Sequence, residues 1–382
     1  MQFSPNKKIY IIVGEESGEN IATSIVSSLK EYSNFKLYGI GGSKLKKFGL
    51  KSLFPFTELS IMGLIEIIPK VPKILFLINK TVKHILKISP DLIITVDSPD
   101  FCFRVLKKVR NINPSLKTLH IVAPTVWAWK PSRAKKISYF VDNLFVLFPF
   151  EKKYFIPYGI KTKFIGHPFL EKTNFEVKST KKLINFKNKI ISIFPGSRKN
   201  EILRHLDQIL LYLTMNDYSK KYTFIIISID RYKELVESKV NKYLHILNIH
   251  VLSSSKYKNY AFKYSDYAIA VSGTISLELA LCKIPLIVVY RLNFLSFFLI
   301  KRLVRVKYIS LPNIILNKRI IIELIQRDFC YKNFNIEFNN LINNQKIRDK
   351  QIMMFEKLIG LLDFKSKSRK SVAIKTILDL IS

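Results

Sequence analysis

The sequence predicts an α/β protein built from two Rossmann-like domains that face each other across a cleft. Short apolar runs alternate with helix-length segments in both halves of the chain, which is the pattern of parallel strands joined by helical crossovers. The length of 382 residues also exceeds what one hydrophobic core usually supports. We therefore expect a first domain over residues 1–168, a second domain over residues 169–345, and a C-terminal helical segment over residues 346–382 that packs back on the first domain.

The first half begins with a strand at Lys8–Val13, a glycine-containing loop at Gly14–Gly18 and a helix from about Asn20 to Lys30. This order opens a Rossmann-like unit, but the loop lacks the G-x-G-x-x-G spacing, so a dinucleotide site is not supported. The further elements predicted in this half are strands at Phe35–Ile40, Leu92–Val96, Leu116–Val122 and Asn143–Phe148, a helix at Val71–Ile88, and a crossing between the domains at Lys163–Pro168.

The second half repeats the same order of elements. A strand at Lys189–Phe194 leads into the turn Pro195–Arg198 and a helix from about Asn200. The further elements predicted here are strands at Phe224–Ser228, Ile249–Leu252, Tyr267–Val271 and Pro285–Tyr290, and a final helix at about Arg348–Leu362.

The chain is strongly basic, with 63 Lys and Arg against 28 Asp and Glu and a net charge of +35. Such a surface attracts polyanions, so nucleic acid, an anionic membrane surface and a phosphorylated substrate all fit. The three cysteines have no metal-ligand spacing, which indicates plain thiols in a reducing cytoplasm. The longest apolar run, Ile284–Ile300, is broken by Arg291 and is shorter than the roughly 20 residues of a membrane span. We expect neither a signal peptide nor a transmembrane helix.

Asp97 is the first candidate catalytic residue. An apolar and β-branched run leads directly into it, and Pro99 prevents the strand from continuing. Because ligands of open α/β sheets bind outside the carboxyl ends of the strands, Asp97 is a candidate general base. The alternative is that Asp97 or Ser98 only caps the helix that begins near Phe101.

Two turns of the second half are candidate phosphate sites. Pro195–Arg198 and Ser272–Thr274 each lie between a strand and a helix start, where free backbone N–H groups and the helix dipole favour an anion. Arg198 adds a planar cation suited to a diphosphate, and Glu278 lies one helical turn beyond the second turn, where it can accept bonds from ribose. Ordinary N-capping by Ser or Thr and a solvated Glu are the alternatives.

The two tryptophans, Trp127 and Trp129, lie in a loop after a strand. They are either core residues packed between the domains or an apolar wall for a substrate. The stretch Arg291–Lys307 combines large apolar residues with five basic ones, which fits a helix lying in a membrane interface. The alternative is a buried helix with a basic exposed edge. The residues of this stretch that we expect to contact a membrane are Phe294, Phe297, Phe298, Lys301, Arg302 and Arg305.

These motifs resemble, in order and over nearly the whole chain, those of the lipid-A-disaccharide synthase family, which are glycosyltransferases of the GT-B fold. The segments that carry the resemblance are Gly14–Gly18, Gly39–Gly42, Ile61–Glu66, Val96–Phe101, Pro124–Trp129, Phe148–Glu151, Phe164–His167, Pro195–Arg198, Ser272–Glu278 and Ser310–Asn313. Each motif alone is weakly specific, whereas their number and order are highly specific.

The resemblance implies a step of lipid A biosynthesis. In it, 2,3-diacylglucosamine moves from UDP to the 6-hydroxyl of 2,3-diacylglucosamine 1-phosphate, giving a β-1,6-linked tetraacyl disaccharide 1-phosphate and UDP. The resemblance also implies inversion at the anomeric carbon, no cofactor, no metal, and attachment to the anionic inner face of the bacterial inner membrane. It leaves monomer and homodimer open.

The resemblance also implies roles for individual residues. It matches the base to Asp97, the key arginine to Arg198, and the asparagine near the nucleotide to Asn313. We expect UDP-sugar binding at Gly196, Ser197, Arg198, Ser272, Gly273, Thr274, Glu278 and Asn313. We expect acceptor binding at Glu15, Ser17, Gly18, Asp100, Trp127 and Trp129.

Three other functions compete with this one. Another GT-B enzyme, such as a UDP-N-acetylglucosamine 2-epimerase or a polyprenyl-linked transferase, is disfavoured by the Trp127–Trp129 loop and the Asp97 motif. A nucleic-acid-binding protein is suggested only by the charge, and the basic residues are spread along the chain without a recognisable module. A catalytically silent membrane scaffold is disfavoured because Asp97 and Arg198 are both present.

Overall fold

The computed structural model describes residues 7–59, 71–128, 131–167, 169–170, 188–216, 218, 221–271, 273–293, 306–362 and 366–382. The chain divides into two units, one formed by Met1–Pro168 together with Leu362–Ser382 and the other by Phe169–Leu361. We expected the C-terminal segment to separate from the second domain at residue 346, whereas the division falls after Leu361. Gln351 explains the difference, because its buried amide bonds both the N–H (2.7 Å) and the C=O (3.2 Å) of Leu286 in the second unit.

The first unit contains a seven-stranded sheet in the order β3-β2-β1-β4-β5-β6-β7, in which every pairing is parallel. Its strands are β1 (Lys7–Val13), β2 (Phe35–Ile40), β3 (Lys51–Ser52), β4 (Leu92–Val96), β5 (Lys117–Ile121), β6 (Asn143–Val146) and β7 (Lys161–Phe164). Its helices are α1 (Glu16–Lys30), α2 (Ser43–Lys46), α3 (Val71–Ile88), α4 (Pro99–Ile112) and α5 (Ser132–Ile137).

The central strands of this sheet are buried on both faces, which is why they are almost purely apolar and β-branched. One face is covered by apolar residues of α3, α4 and α5, and the other by α1 and by the C-terminal helix of the chain. Each buried Ile, Leu or Val contributes on the order of 2 kcal/mol relative to leaving it exposed. These contacts hold the loops at the carboxyl edge of the sheet in place.

The second unit contains a six-stranded parallel sheet in the order β10-β9-β8-β11-β12-β13. Its strands are β8 (Lys189–Phe194), β9 (Tyr222–Ser228), β10 (Ile249–Ser253), β11 (Tyr267–Val271), β12 (Leu286–Tyr290) and β13 (Ile322–Ile325). Its helices are α6 (Lys199–Thr214), α7 (Lys233–Val240), α8 (Ser254–Tyr264), α9 (Thr274–Leu281), α10 (Leu311–Leu316), α11 (Tyr331–Asn343) and α12 (Gln345–Leu362).

The last helix of the chain, α13 (Ser366–Ile381), packs on the first unit. Its residues Ile374 and Ile377 join the apolar cluster around β1 and α1. Lys117 at the start of β5 donates to the carbonyl of Leu380 (2.7 Å), and Lys163 of β7 donates to Thr376 Oγ1 (2.8 Å). The helix therefore closes the outer face of the first sheet.

The fold class predicted from the sequence is confirmed, since both units are parallel-sheet α/β structures. The order of each sheet reverses once, between β1 and β4 in the first and between β8 and β11 in the second. Ligands of doubly wound sheets bind at such reversals, outside the carboxyl ends of the strands. No helix in the described parts of the chain combines the length and the apolar character needed to cross a bilayer.

Candidate active site

The predicted base lies at the reversal of the first sheet. β1 and β4 are paired neighbours, with Val13 opposite Val96, so the loops that follow them emerge side by side. The first loop begins at Gly14 and the second at Asp97. The segments that the sequence analysis singled out separately are thus brought together by the register of one strand pair.

Two glycines, Gly14 of the first loop and Gly18 of α1, leave space for the Asp97–Ser98 turn. A Cβ built on Gly14 would lie only 2.0 Å from Ser98 Oγ, so the Ser98 side chain occupies the place of a side chain at Gly14. A Cβ on Gly18 would lie 3.5 Å from Asp97 Cβ. The predicted acceptor residue Gly18 therefore lies directly beside the predicted base.

The backbone at this turn is held in an uncommon conformation. Asp97 and Ser98 have φ of 57° and 43°, and Val122 at the end of the neighbouring β5 has φ of 76°. Left-handed φ is uncommon for non-glycine residues and is an outlier for a β-branched residue such as Val122. Asp97 N–H donates to Ile121 O at 3.0 Å, which fixes the turn to the next strand. Such strain persists where surrounding structure imposes it, and it clusters at functional sites.

The Asp97 carboxylate has the environment of a base rather than of an ion-pair partner. Its Oδ1 accepts the N–H of Ser98 at 2.8 Å. Burial raises the pKa of Asp97, and the Ser98 N–H opposes this shift only in part. In the described parts of the chain, no Lys, Arg or His stabilises its charge. A partly desolvated, unpaired carboxylate at a strand end accepts a proton more readily than an ordinary aspartate.

The alternative that Asp97 or Ser98 only caps the following helix is not supported by the structure. The helix α4 begins at Pro99, two residues before the predicted start, with Ser98 at the N-cap position. Neither Ser98 nor any other described side chain forms a capping hydrogen bond there. Ser98 instead contacts Gly14, and the Asp97 carboxylate bonds only the N–H of the next residue.

Asp100 differs from Asp97 although it lies one helical turn away. Its side chain is 89% exposed and pairs with Arg133 Nη2 at 2.6 Å. The Arg133 guanidinium also lies over the ring of Phe103. Asp100 is therefore a neutralised carboxylate at the rim of the site, available to a substrate hydroxyl but not poised as a base.

Trp127 is 8% exposed and belongs to the interior of the first unit. Its Nε1–H donates to Glu151 Oε1 at 3.2 Å, and its ring packs edge-on against Phe150. Glu151 also accepts the N–H of Phe148 at 3.0 Å through its other oxygen. Burial raises the pKa of Glu151 to about 7. Trp129 lies outside the described residues.

Neither Glu151 nor Glu19 was predicted from the sequence as a residue that shapes the site. Glu19 is 3% exposed, and its carboxylate accepts the N–H groups of Lys44 (3.0 Å) and Leu45 (3.3 Å) at the start of α2. It thus fixes the loop after β2 to α1. Of the other predicted acceptor residues, Glu15 immediately precedes α1 and is half-buried, whereas the side chain of Ser17 lies outside the described residues.

The predicted phosphate turn Pro195–Arg198 lies at the reversal of the second sheet, but its N–H groups are not free. Glu201 Oε2 accepts the backbone N–H of Ser197 (3.0 Å) and of Arg198 (3.3 Å). Gly196, with φ of 112°, makes this possible, because a Cβ there would lie 2.6 Å from Glu201 Cβ. The expectation of free donors is therefore wrong for these two N–H groups, since a side chain of α6 caps them.

What remains exposed at this turn is the Arg198 side chain. It is 58% exposed, and its Nη1 lies 3.3 Å from Glu201 Oε1. The side chain of Ser197 is also exposed, and its carbonyl accepts from Arg231 Nη2 at 3.3 Å. Two guanidinium groups, those of Arg198 and Arg231, therefore lie at this internally capped turn.

The second phosphate turn follows β11, the strand that pairs with β8. Gly273 and Thr274 are exposed at the start of α9, and Ser272 lies outside the described residues. Glu278, one turn further, is not a solvated helix residue, because its Oε2 pairs with Lys258 Nζ at 2.5 Å. A ribose contact by Glu278 would therefore be made by a carboxylate already oriented by Lys258.

A buried histidine that the sequence analysis did not single out connects the end of β12 to the phosphate turn. His205 of α6 is fully buried, and burial lowers its pKa to about 4, so it is neutral at physiological pH. Its Nδ1 donates to Glu201 O (2.7 Å), and its Nε2 accepts the N–H of Arg291 (2.8 Å). The Arg291 guanidinium donates to Phe329 O and Gln326 O, which connects this residue to the segment after β13.

Asn313 is fully buried at the start of α10. Its Nδ2 donates to Ile321 O and to Glu323 Oε1, both at 2.8 Å. Its Oδ1 accepts the N–H groups of Ile320 (2.8 Å) and Ile321 (2.9 Å). Because an amide side chain has two donors and two acceptor positions, these four bonds use the whole capacity of Asn313.

The predicted membrane contacts Phe294, Phe297, Phe298, Lys301, Arg302 and Arg305 all lie outside the described residues. In the described parts of the chain, no three His, Cys, Asp or Glu side chains come together as ligands for a metal ion.

Comparison with known proteins identifies the family. Residues 9–377 match the lipid-A-disaccharide synthetase family. The lipid-A-disaccharide synthase of Rickettsia prowazekii (strain Madrid E) is 38% identical over 376 residues, which cover 97% of this chain and 98% of that protein.

Solved structures support the GT-B fold. The UDP-GlcNAc 2-epimerase of Neisseria meningitidis bound to UDP-GlcNAc has a TM-score of 0.65 at 14% identity and covers 97% of this chain and 100% of that one. A glycosyltransferase of Rickettsia africae ESF-5 has a TM-score of 0.55 at 12% identity, and the match covers 99% of this chain and 98% of that one. At such identities these structures indicate the fold alone, whereas the sequence match decides the family. The chain belongs to the lipid-A-disaccharide synthase family.

Proposed function

We propose that this protein transfers 2,3-diacylglucosamine from UDP to the 6-hydroxyl of 2,3-diacylglucosamine 1-phosphate, with inversion and without a metal ion. The observation that carries this proposal is the unpaired Asp97 carboxylate, whose pKa is raised by burial, at the reversal of the first sheet. The family match supports the substrates.

In the proposed reaction the proton of the acceptor 6-hydroxyl moves to the Asp97 carboxylate. The freed oxygen lone pair attacks the anomeric carbon of the donor opposite the diphosphate, and the bond from that carbon to the diphosphate oxygen breaks with its electron pair going to UDP. This single displacement converts an α-linked donor into a β-glycoside. The negative charge that develops on UDP requires a preorganised cation, which we assign to Arg198.

The proposal assigns two kinds of role to the site residues. Asp97 and Arg198 act on the reacting groups, and Gly196, Ser197, Gly273, Thr274 and Glu278 surround the nucleotide. Asn313 is a positioning residue, since its hydrogen-bonding capacity is used within the chain. On the acceptor side, Glu15, Gly18 and Asp100 surround the sugar, and Trp127 shapes the loop from the interior.

We further propose that the protein attaches to an anionic membrane surface. The net charge of +35 supports this. On the described surface, Leu75 and Phe76 of α3 are 42% and 64% exposed, and Lys73 and Lys80 on the same helix are also exposed. Apolar side chains flanked by lysines fit the boundary between acyl chains and anionic headgroups.

The experiment that tests the reaction is a product assay. The purified chain would receive both substrates in detergent micelles with EDTA, and mass spectrometry and NMR would detect the disaccharide and its anomeric configuration. Formation of the β-1,6-linked tetraacyl disaccharide 1-phosphate supports the proposal. Release of UDP without disaccharide would mean a different acceptor, and activity only without EDTA would contradict metal independence.

A further inference from the structure

The first unit contains a groove of whose lining residues only Asp100 has a role above. It lies between α4 and α5, and its volume is about 650 Å³. Five basic residues and one acidic residue line it, together with aromatic side chains. The acid is Asp100, which is neutralised by Arg133 at the end nearest Asp97.

The cations of the groove fall into two groups. Arg110 and Arg133 are engaged, because Arg110 pairs with Asp142 and Arg133 with Asp100. Arg104, Lys107 and Lys136 are exposed, and in the described parts of the chain no acidic side chain pairs with any of them. Three unpaired cations converging on one groove repel one another, so an anion bound there is stabilised by all three.

The lining of the groove begins directly after the proposed catalytic turn in the chain. Pro99 and Asp100 line it and directly follow Asp97 and Ser98 in the chain. Arg104 lies four residues beyond Asp100 on α4, which is about 6 Å along the helix axis. The lining residues of the groove therefore begin two residues after the proposed base, where we place the acceptor hydroxyl.

The two proposed substrates carry the same diacylated sugar and differ at the anomeric oxygen. One carries UDP and the other a phosphate monoester. A protein that uses one sugar as donor and the other as acceptor must discriminate at this group. In the groove, the Asp100–Arg133 pair lies toward the sugar and the unpaired cations lie beyond it. This charge distribution suits a phosphate monoester.

We propose that the groove between α4 and α5 binds the phosphate of the acceptor glycolipid through Arg104, Lys107 and Lys136. This inference rests on the proposed function and assigns its acceptor specificity to these residues. The aromatic residues Phe103 and Phe140 form the apolar wall of the groove, and Tyr139 is exposed at its rim.

The test compares the acceptor with the same diacylglucosamine lacking the 1-phosphate. For the native chain, we expect kcat/KM to be higher for the phosphorylated acceptor. In the double variant Arg104→Gln/Lys107→Gln this preference falls by about tenfold or more, since each charge-assisted bond to a phosphate contributes strongly. The KM for the UDP-sugar donor remains unchanged.

The matched control is Lys108→Gln. Lys108 lies on the same helix but bonds Asn79 of α3 instead of lining the groove. We expect its preference for the phosphorylated acceptor to equal that of the native chain. Equal loss in the control and in the double variant would mean a general effect of charge and would overturn the proposal.

Failure of the groove assignment and failure of the proposed function give different results. If the native chain forms no disaccharide, the proposed function itself fails. If it does, but the double variant keeps the native preference for the phosphorylated acceptor, the groove assignment alone is wrong. Sedimentation with vesicles of phosphatidylglycerol or phosphatidylcholine tests a membrane role of the groove. If the double variant loses binding to phosphatidylglycerol vesicles but keeps the native acceptor preference, the groove binds membrane headgroups and the proposal is wrong.

Discussion

The hydroxyl of Ser98 lies where a side chain on Gly14 would have to be, 2.0 Å from the position of a Cβ built on that glycine. This contact joins the loop after β1 to the turn that carries Asp97. The turn can adopt this position only because Gly14, in another segment of the chain, has no side chain. Gly14 therefore helps to position the proposed base.

Gly14→Ala tests this relationship. The added methyl group must displace the Asp97–Ser98 turn, so we expect the free energy of unfolding to fall by roughly 1–3 kcal/mol. A base displaced by about 1 Å loses on the order of 100-fold in kcat/KM. Denaturant unfolding and steady-state kinetics measure the two effects.

The control for this prediction is Gly360→Ala. Gly360 lies in α12, and a Cβ there would meet no atom within 4 Å. Alanine at this helical position should raise the free energy of unfolding by roughly 0.5–1 kcal/mol. Full activity in Gly14→Ala, with unchanged stability, would contradict the close contact.

Arg198→Lys tests the leaving-group site. Lysine keeps the charge but loses the planar fork that binds two diphosphate oxygens at once. We expect the dissociation constant of UDP, measured by calorimetry, to rise by about tenfold. Lys199→Gln removes a charge at the exposed residue directly after the turn, and this variant should bind UDP like the native chain. A larger loss in the control would mean that the turn acts only through overall charge.

Glu151→Gln tests the buried carboxylate behind Trp127. The folded-state pKa of Glu151 is raised to about 7 from 4.5, so its stabilising contribution is complete below pH 4.5 and is lost as the pH rises through 7. The loss amounts to roughly 3 kcal/mol by linkage. Glutamine at this position cannot titrate. The free energy of unfolding of the variant, relative to that of the native chain, should therefore increase between pH 5 and pH 8. Denaturant unfolding at several pH values measures this difference.

The control for Glu151 is the exposed Glu31→Gln in the same unit. Its difference from the native chain should not depend on pH over this range. If the difference between Glu151→Gln and the native chain is equally constant, Glu151 is ionised in the folded protein throughout and the effect of its burial is compensated.

Arg302→Glu/Arg305→Glu tests the membrane proposal. Each basic residue near an anionic surface contributes about 1 kcal/mol to binding, so two reversals should weaken sedimentation with anionic vesicles by at least about tenfold. Lys318→Glu/Arg319→Glu makes the same charge change at exposed positions later in the chain and serves as the control. Equal loss in both variants would mean a diffuse attraction rather than contact through the Arg291–Lys307 stretch.

The sequence predicted the fold where strands are buried on both faces, because such strands are continuous apolar runs. β4 and β11 are examples, and both lie in the middle of their sheets. It missed three of the four edge strands, namely β3, β7 and β13, although it predicted the edge strand β10. β7 was read as part of a crossing between domains, since three of its four residues are polar and only Phe164 is buried.

The sequence also placed the candidate site residues at strand ends but did not predict what their neighbours do. Glu201 lies three residues after Arg198, which is the spacing of a capping box and was a signal for its contact with the turn. The four bonds of Asn313 involve backbone groups at residues 320 and 321 and the Glu323 side chain, so only the folded chain reveals them. Residue type predicts chemistry, whereas hydrogen-bond capacity left for a ligand depends on tertiary contacts.

Asp97→Asn gives the most direct test of the central claim, that Asp97 is the general base. The amide keeps the shape of the side chain but cannot accept the proton, so disaccharide formation should fall by 100-fold or more, in the range of about 10²–10⁴ for a lost general base. UDP binding should stay within about twofold of the native chain, because Asp97 belongs to the first unit and the nucleotide residues to the second. Asp91→Asn, at the other end of β4, should retain both properties. Native rates of disaccharide formation in Asp97→Asn would contradict the account.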